Sequence, residues 1–117
     1  MIDDGHILLV QRGRDPGAGL WAVPGGKVRR GETMREAVRR EVAEETGLEV
    51  VVGDVVWVGE VIEAEHHLVL VDFSADLVAG SLRAGDDARD ARWVRLGEAG
   101  EYPLTPTMHA LLDTLPT

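Results

Sequence analysis

With 117 residues, 44% of them hydrophobic and 28% charged, the chain has room for one hydrophobic core and the composition of a globular protein, which excludes extensive disorder. The absence of cysteine excludes disulfides, thiolate metal sites and cysteine nucleophiles, so any metal must rest on oxygen or imidazole. A formal net charge of −9 argues against a nucleic-acid polymer as partner, because phosphate backbones are held by clustered Lys and Arg; a small phosphate ester would need a divalent cation to offset the repulsion.

In chain order, Met1-Ile2-Asp3-Asp4-Gly5 lacks the basic start and apolar run of a signal peptide. No later stretch approaches the roughly 18 apolar residues of a spanning helix, so no membrane partner and a cytoplasmic location are expected. Asp4-Gly5 is a two-residue hairpin signal and His6 to Val10 reads as the strand leaving it. The strand entering the turn is almost absent. Either the natural protein begins further upstream, or an exposed sheet edge is covered by a second subunit in a homodimer. Gly13 to Gly19 reads as a loop and Leu20 to Val23 as a short strand stopped by Pro24-Gly25-Gly26. Thr33-Met34-Arg35-Glu36 has the form of a helix capping box, and Gly47 is placed to end the helix. Leu48 to Val61 and Leu68 to Val78 are Val-rich and predict adjacent strands joined through Glu63 to Glu65. Gly80 to Asp90 reads as a loop and Ala91 to Leu96 as a last strand. Thr105-Pro106 opens a second helix whose Met108, Leu111, Leu112 and Leu115 form one apolar stripe. A single domain over 1–117 is expected.

The first helix carries the functional signal. At about 100° per residue, Met34, Ala37, Val38 and Val42 define an apolar stripe, with Glu36, Arg39, Arg40 and Ala43 opposite. Glu41 and Glu45 nevertheless fall within that stripe and Glu44 lies at its edge, so three carboxylates gather on the side that should face the protein. Ordinary surface charges would lie elsewhere. Burying three like charges needs compensation, and all-oxygen ligation suits Mg²⁺ or Mn²⁺.

These residues match a longer pattern: Gly26, five residues, Glu32, seven residues, then Arg40-Glu41-Val42-x-Glu44-Glu45-x-Gly47-Leu48. The pattern resembles a complete Nudix box. Leu8-Leu9-Val10-Gln11-Arg12, Gly19 to Gly26 and Ala91-Arg92-Trp93-Val94 are similar to the surrounding strands of the Nudix hydrolase family. The resemblance implies an α/β fold, an α/β/α sandwich with a mixed β-sheet between the box helix and the C-terminal helix. It implies Glu41, Glu44 and Glu45 as metal ligands, with the Gly26 carbonyl a further one, and Glu32 and Arg40 as supporting residues, Arg40 holding a box carboxylate by hydrogen bonding. The reaction implied is attack of an activated water on one phosphorus of a diphosphate linkage. Candidates for its general base are Glu41, Glu45 and, from the Asp86-Asp87 loop, Asp87.

The overall sequence resembles the short bacterial group described as ADP-ribose pyrophosphatase-like, a label covering several substrates. Neither the Pro nor the Tyr that marks some subgroups occurs beyond the box, where the chain reads Ile62-Glu63-Ala64-Glu65-His66-His67. Asp15 and Val23 depart from the coenzyme A pattern. Arg12 and Arg14 are candidates for binding substrate phosphate, or else plain surface charges. Trp21 is the best placed of Trp21, Trp57, Phe73 and Trp93 for stacking a nucleobase, although aromatic residues on strands usually belong to the core. Only one of His66 and His67 can face a site. The favoured reading is hydrolysis of a nucleoside diphosphate linked to another moiety, with ADP-ribose leading. The alternatives are a house-cleaning nucleoside triphosphate pyrophosphohydrolase, a silent nucleotide sensor, and an RNA-processing protein, the last disfavoured by the acidic composition.

Overall fold

The computed structural model describes residues 1–15, 17–85 and 87–115. Ile2–Asp3 (β1) enters a turn at Asp4-Gly5 and His6–Arg12 (β2) leaves it. Both turn residues have positive φ, 50° and 73°, as a hairpin turn matched to the strand twist requires. The predicted hairpin forms, with an incoming strand of two residues. β2 pairs antiparallel along its length with Ala88–Arg95 (β6), and on its other edge with β1 and with Trp21–Ala22 (β3). β3 is shorter than the predicted Leu20 to Val23. β6 begins three residues earlier than the apolar pattern suggests, because Ala88 and Asp90 pair with Arg12 and Gln11 through the main chain, which polar side chains do not prevent.

Leu48–Ile62 (β4) and His67–Gly80 (β5) form a long antiparallel hairpin. Among the described residues, exposed apolar side chains concentrate on it: Val51, Val58, Ile62 and Val69 are 57–73% exposed. Named strand pairs run antiparallel; the parallel component is the bridge between Trp21 and Leu104. The two α-helices are Met34–Thr46 (α1) and Pro106–Thr114 (α2), the latter with Thr105 before it as predicted.

Alternation along β2 builds the sandwich, since successive strand residues point to opposite faces. Leu8 clusters with Val42 of α1 and with Leu48, Val50 and Ala75. Ile7 and Leu9 cluster instead with Met108 and Leu111 of α2, Trp21, Val94 and Leu104. All three β2 residues are fully buried. The architecture is therefore an α/β/α sandwich with α1 and α2 on opposite faces. Among the described residues no helix is long and apolar enough to cross a membrane.

Candidate active site

The site is built on α1, and both helix ends are fixed by local chemistry. Thr33 Oγ1 accepts from Glu36 N–H at 3.1 Å while the Glu36 carboxylate accepts from Thr33 N–H at 3.0 Å, the reciprocal pair of a capping box. Gly47 closes the other end at φ 73°, its N–H donating to Ala43 O. Ala37 and Val42 are buried as expected and Val38 is half-buried. Met34, expected in the same stripe, is 49% exposed: as the first helical residue it falls short of the cluster around Leu8 and Val42. Thr46 takes a place in that cluster's shadow, fully buried, donating to Val42 O and accepting from Leu48 N–H.

Arg40 organises the acidic residues. The helical wheel sets it on the outer side, but its side chain is only 16% exposed, because a long guanidinium reaches back to groups its Cβ does not face. Nε and Nη2 donate to the two Glu32 oxygens at 2.8 and 3.0 Å, a bidentate fork. Nη1 donates to Glu41 at 2.7 Å and to Glu44 at 3.4 Å, and Nη2 also reaches Lys27 O at 3.1 Å. The hydrogen bonds from Arg40, with a backbone N–H from Arg29, hold the Glu32 carboxyl down at about 2. Arg40 is correspondingly pushed further above its ordinary value by Glu32 and Glu41.

Glu45 has the opposite environment. Burial, then a hydrogen bond shared with Glu41 and the Glu41 charge, raise its carboxyl to about 8. The Gly25 N–H and the Arg12 charge oppose this without overcoming it. Glu41 in turn lies against Gly26: a Cβ there would come within 2.5–3.0 Å of the Glu41 carboxylate atoms, so a side chain at that position would have to displace the carboxylate.

As the side chains stand, no three His, Asp or Glu residues among those described converge closely enough to hold a metal ion. Arg40 draws Glu41 and Glu44 to itself, and Glu45 is hydrogen-bonded to Glu41. The donor set still fits a divalent cation. Glu41 and Glu45 are held side by side in partial burial, where burial and the Glu41 charge push the Glu45 carboxyl up, and a divalent ion would supply the opposing positive charge. Glu44 lies one turn from Arg40 and 33% exposed, and the three carboxylates would have to draw together from these positions.

The remaining predicted residues fall into three groups. Arg12 lies against Gly17 and its charge acts on Glu45, which brings it to the carboxylate cluster. Arg14 pairs with Asp87 at 2.7 Å on the surface, where Asp87 has φ 60°, and Gly13 N–H donates to Asp87 O. Asp86 lies outside the described residues. Trp21 is 5% exposed, with Tyr102 edge-on at 5.2 Å and the Arg92 guanidinium over its ring at 5.2 Å. Its faces are thus taken up by the core and by Arg92, and the structure gives a stacking base no open ring there. Phe73 is likewise buried, and Trp57 and Trp93 are half-buried against the two cores. His66 and His67 pair with Glu63 and Glu60. Residues missed from the sequence act mostly through the main chain, as Gly25 and Lys27 do, and leave no side-chain signal. Arg29, whose guanidinium lies 3.7 Å from Glu44, belongs to the basic stretch Lys27-Val28-Arg29-Arg30 inside the box, the signal that could have found it.

The chain matches the NUDIX domain over residues 1–115. It is 41% identical over 95 residues to ADP-ribose pyrophosphatase of Methanocaldococcus jannaschii, covering 80% of this chain and 56% of that protein. It is 38% identical over 117 residues to CTP pyrophosphohydrolase of Escherichia coli, covering 94% and 82%. The crystal structure of a MutT NUDIX hydrolase from Burkholderia pseudomallei superposes with a TM-score of 0.90 at 32% identity, covering 99% of this chain and 92% of that one. The chain thus spans little more than half the length of the first of these relatives, and most of the other two. With the family model matched over almost the whole chain and relatives of this identity and coverage, the chain belongs to the Nudix hydrolase family.

Proposed function

We propose that this chain hydrolyses the pyrophosphate bond of a nucleoside diphosphate linked to another moiety, with ADP-ribose the favoured substrate. Glu41, Glu44, Glu45 and the Gly26 carbonyl would hold Mg²⁺ or Mn²⁺. The observation that carries this reading is the Glu41–Glu45 pair, two half-buried carboxyl groups hydrogen-bonded to each other with the Glu41 carboxylate against Gly26. A divalent cation, when bound, offsets phosphate charge and polarises the phosphoryl oxygens. The protein's own residues do the rest. Glu32 and Arg40 keep Glu41 and Glu44 aimed. Arg12, beside the carboxylates, binds a phosphate of the substrate, while Arg14 stays paired with Asp87. The Glu41–Glu45 pair is better supported than Asp87 as acceptor of the water's proton, because Asp87 is engaged by Arg14. A homodimer and a cytoplasmic location belong to the same proposal, the first supported by the exposed valines of the β4–β5 hairpin.

A second reading, pyrophosphate release from nucleoside triphosphates, is favoured by the fuller-length similarity to CTP pyrophosphohydrolase. Incubation with Mg²⁺ or Mn²⁺ and a panel of ADP-ribose, nucleotide sugars, dinucleotides and nucleoside triphosphates separates the two by their products. Nucleoside monophosphate from ADP-ribose supports the first, and pyrophosphate from triphosphates the second. Glu44→Gln is expected to lower turnover by at least about 10–100-fold with the fold intact. Full activity in that variant would remove Glu44 from the site, and nucleotide binding without any product would make the chain a sensor.

A further inference from the structure

The carboxyl end of α1 is electrostatically awkward. Its last turn contains Glu44 and Glu45 and no basic residue, although the partial negative charge of a helix C-terminus favours cations there and disfavours carboxylates. The final carbonyls also lack partners within the helix. Both needs are met by residues 81–85, which follow β5. Arg83 N–H donates to Thr46 O and Gly85 N–H to Glu45 O, each at 2.9 Å. Just before them Leu82 packs on the cluster around Leu8 and Val42, which anchors the segment. The approach is very close. A Cβ on Gly85 would stand 1.9 Å from Glu44 O, and one on Gly47 would stand 2.9 Å from Ser81 O. Positions without side chains on both sides let the two main chains meet.

From this contact we infer that residues 81–85 act as a backbone strap on the last turn of α1, with Gly85 a positioning residue for the metal site. The inference rests on Glu41, Glu44 and Glu45 being the ligands proposed above. Gly85 touches no reacting group; it acts through the main chain of Glu44 and Glu45. A side chain there lifts the strap and releases the helix carbonyls. The turn then frays, and both carboxylates lose their direction toward Glu41.

The test is calorimetric Mn²⁺ binding to the whole chain, with helix content followed by circular dichroism. Gly85→Ala is expected to weaken binding by about 10–100-fold, the usual cost of losing support behind a ligand. Leu82→Ala, which loosens the anchor, should weaken it less, and Gly97→Ala, whose added Cβ meets nothing, should bind as the parent does. Combining Gly85→Ala with Glu44→Gln gives a readout that general destabilisation does not move. The two losses should fall short of adding, because the strap acts partly through the side chain already changed; full additivity overturns the inference. So does a folded Gly85→Ala with parental affinity. If Gly85→Ala does not fold, Leu82→Ala decides, weakened binding supporting the strap and parental binding overturning it. A parent that binds no Mn²⁺ overturns the ligand assignment instead, and the strap's role with it.

Discussion

Arg40 joins groups separated in the chain, Glu32 eight residues before it and Glu41 and Glu44 on its own helix. The pairing gives Glu32 a defined pH signature. Its carboxyl sits at about 2 in the folded protein against 4.5 ordinarily, so the folded state holds fewer protons between those values than the unfolded one. The stability from this pair is complete above about 4.5 and lost as pH falls toward 2. Thermal unfolding followed from pH 6 to pH 2 should show the melting temperature declining over that interval. Glu32→Gln should start lower and decline less, and an unchanged acid slope would assign the effect to other carboxylates. The residues of this site were legible to different depths. Periodicity placed Glu41 and Glu45 on the inner side of α1, where they lie. It set Arg40 outside because a wheel follows Cβ direction, whereas a guanidinium travels several bonds to its partners. Trp21 stands out in the sequence as the aromatic best placed to stack a base, and nothing in its local sequence announces that Tyr102 and Arg92 close over it.

At the scale of elements, what is encoded locally was readable and what depends on distant pairing was not. The capping box of α1 needs only four consecutive residues, and both of its hydrogen bonds are present. Thr33→Ala removes one of them and is expected to cost about 1 kcal/mol of unfolding free energy, within a range of about 0.5–2. Urea unfolding measures this, and a loss near zero would show that tertiary packing alone holds the helix start. The C-cap at Gly47, the Asp4-Gly5 turn and the Thr105-Pro106 helix start are of the same local kind. By contrast the early start of β6 is decided by its pairing with Gln11 and Arg12. The 3₁₀ segment Leu96–Glu101 was missed altogether. Its sequence, Leu-Gly-Glu-Ala-Gly-Glu, has two glycines and no apolar period, and only the full burial of Ala99 against the α2-side core explains its order.

Across the whole molecule the two cores share β2, with Leu8 on the α1 side and Leu9 on the α2 side. Leu8→Ala and Leu9→Ala should each destabilise by about 2–5 kcal/mol, the range for truncating a buried leucine. Because one strand serves both cores, each variant should shift a single transition, seen alike by tryptophan fluorescence and circular dichroism. Separate transitions for the two probes would show that the halves unfold independently. The shared strand has a further consequence for how the chain finds its alignment. A one-residue slip of a strand is normally forbidden because it carries oily groups into water. Here such a slip would only exchange oily groups between two dry compartments, so polarity gives β2 little means of rejecting it. Alignment must be dictated from the strand's ends, by the tight reversal before His6 and the irregular step between Gln11 and Arg12. Lengthening that reversal by one residue is the change that would let the two interiors trade their contents.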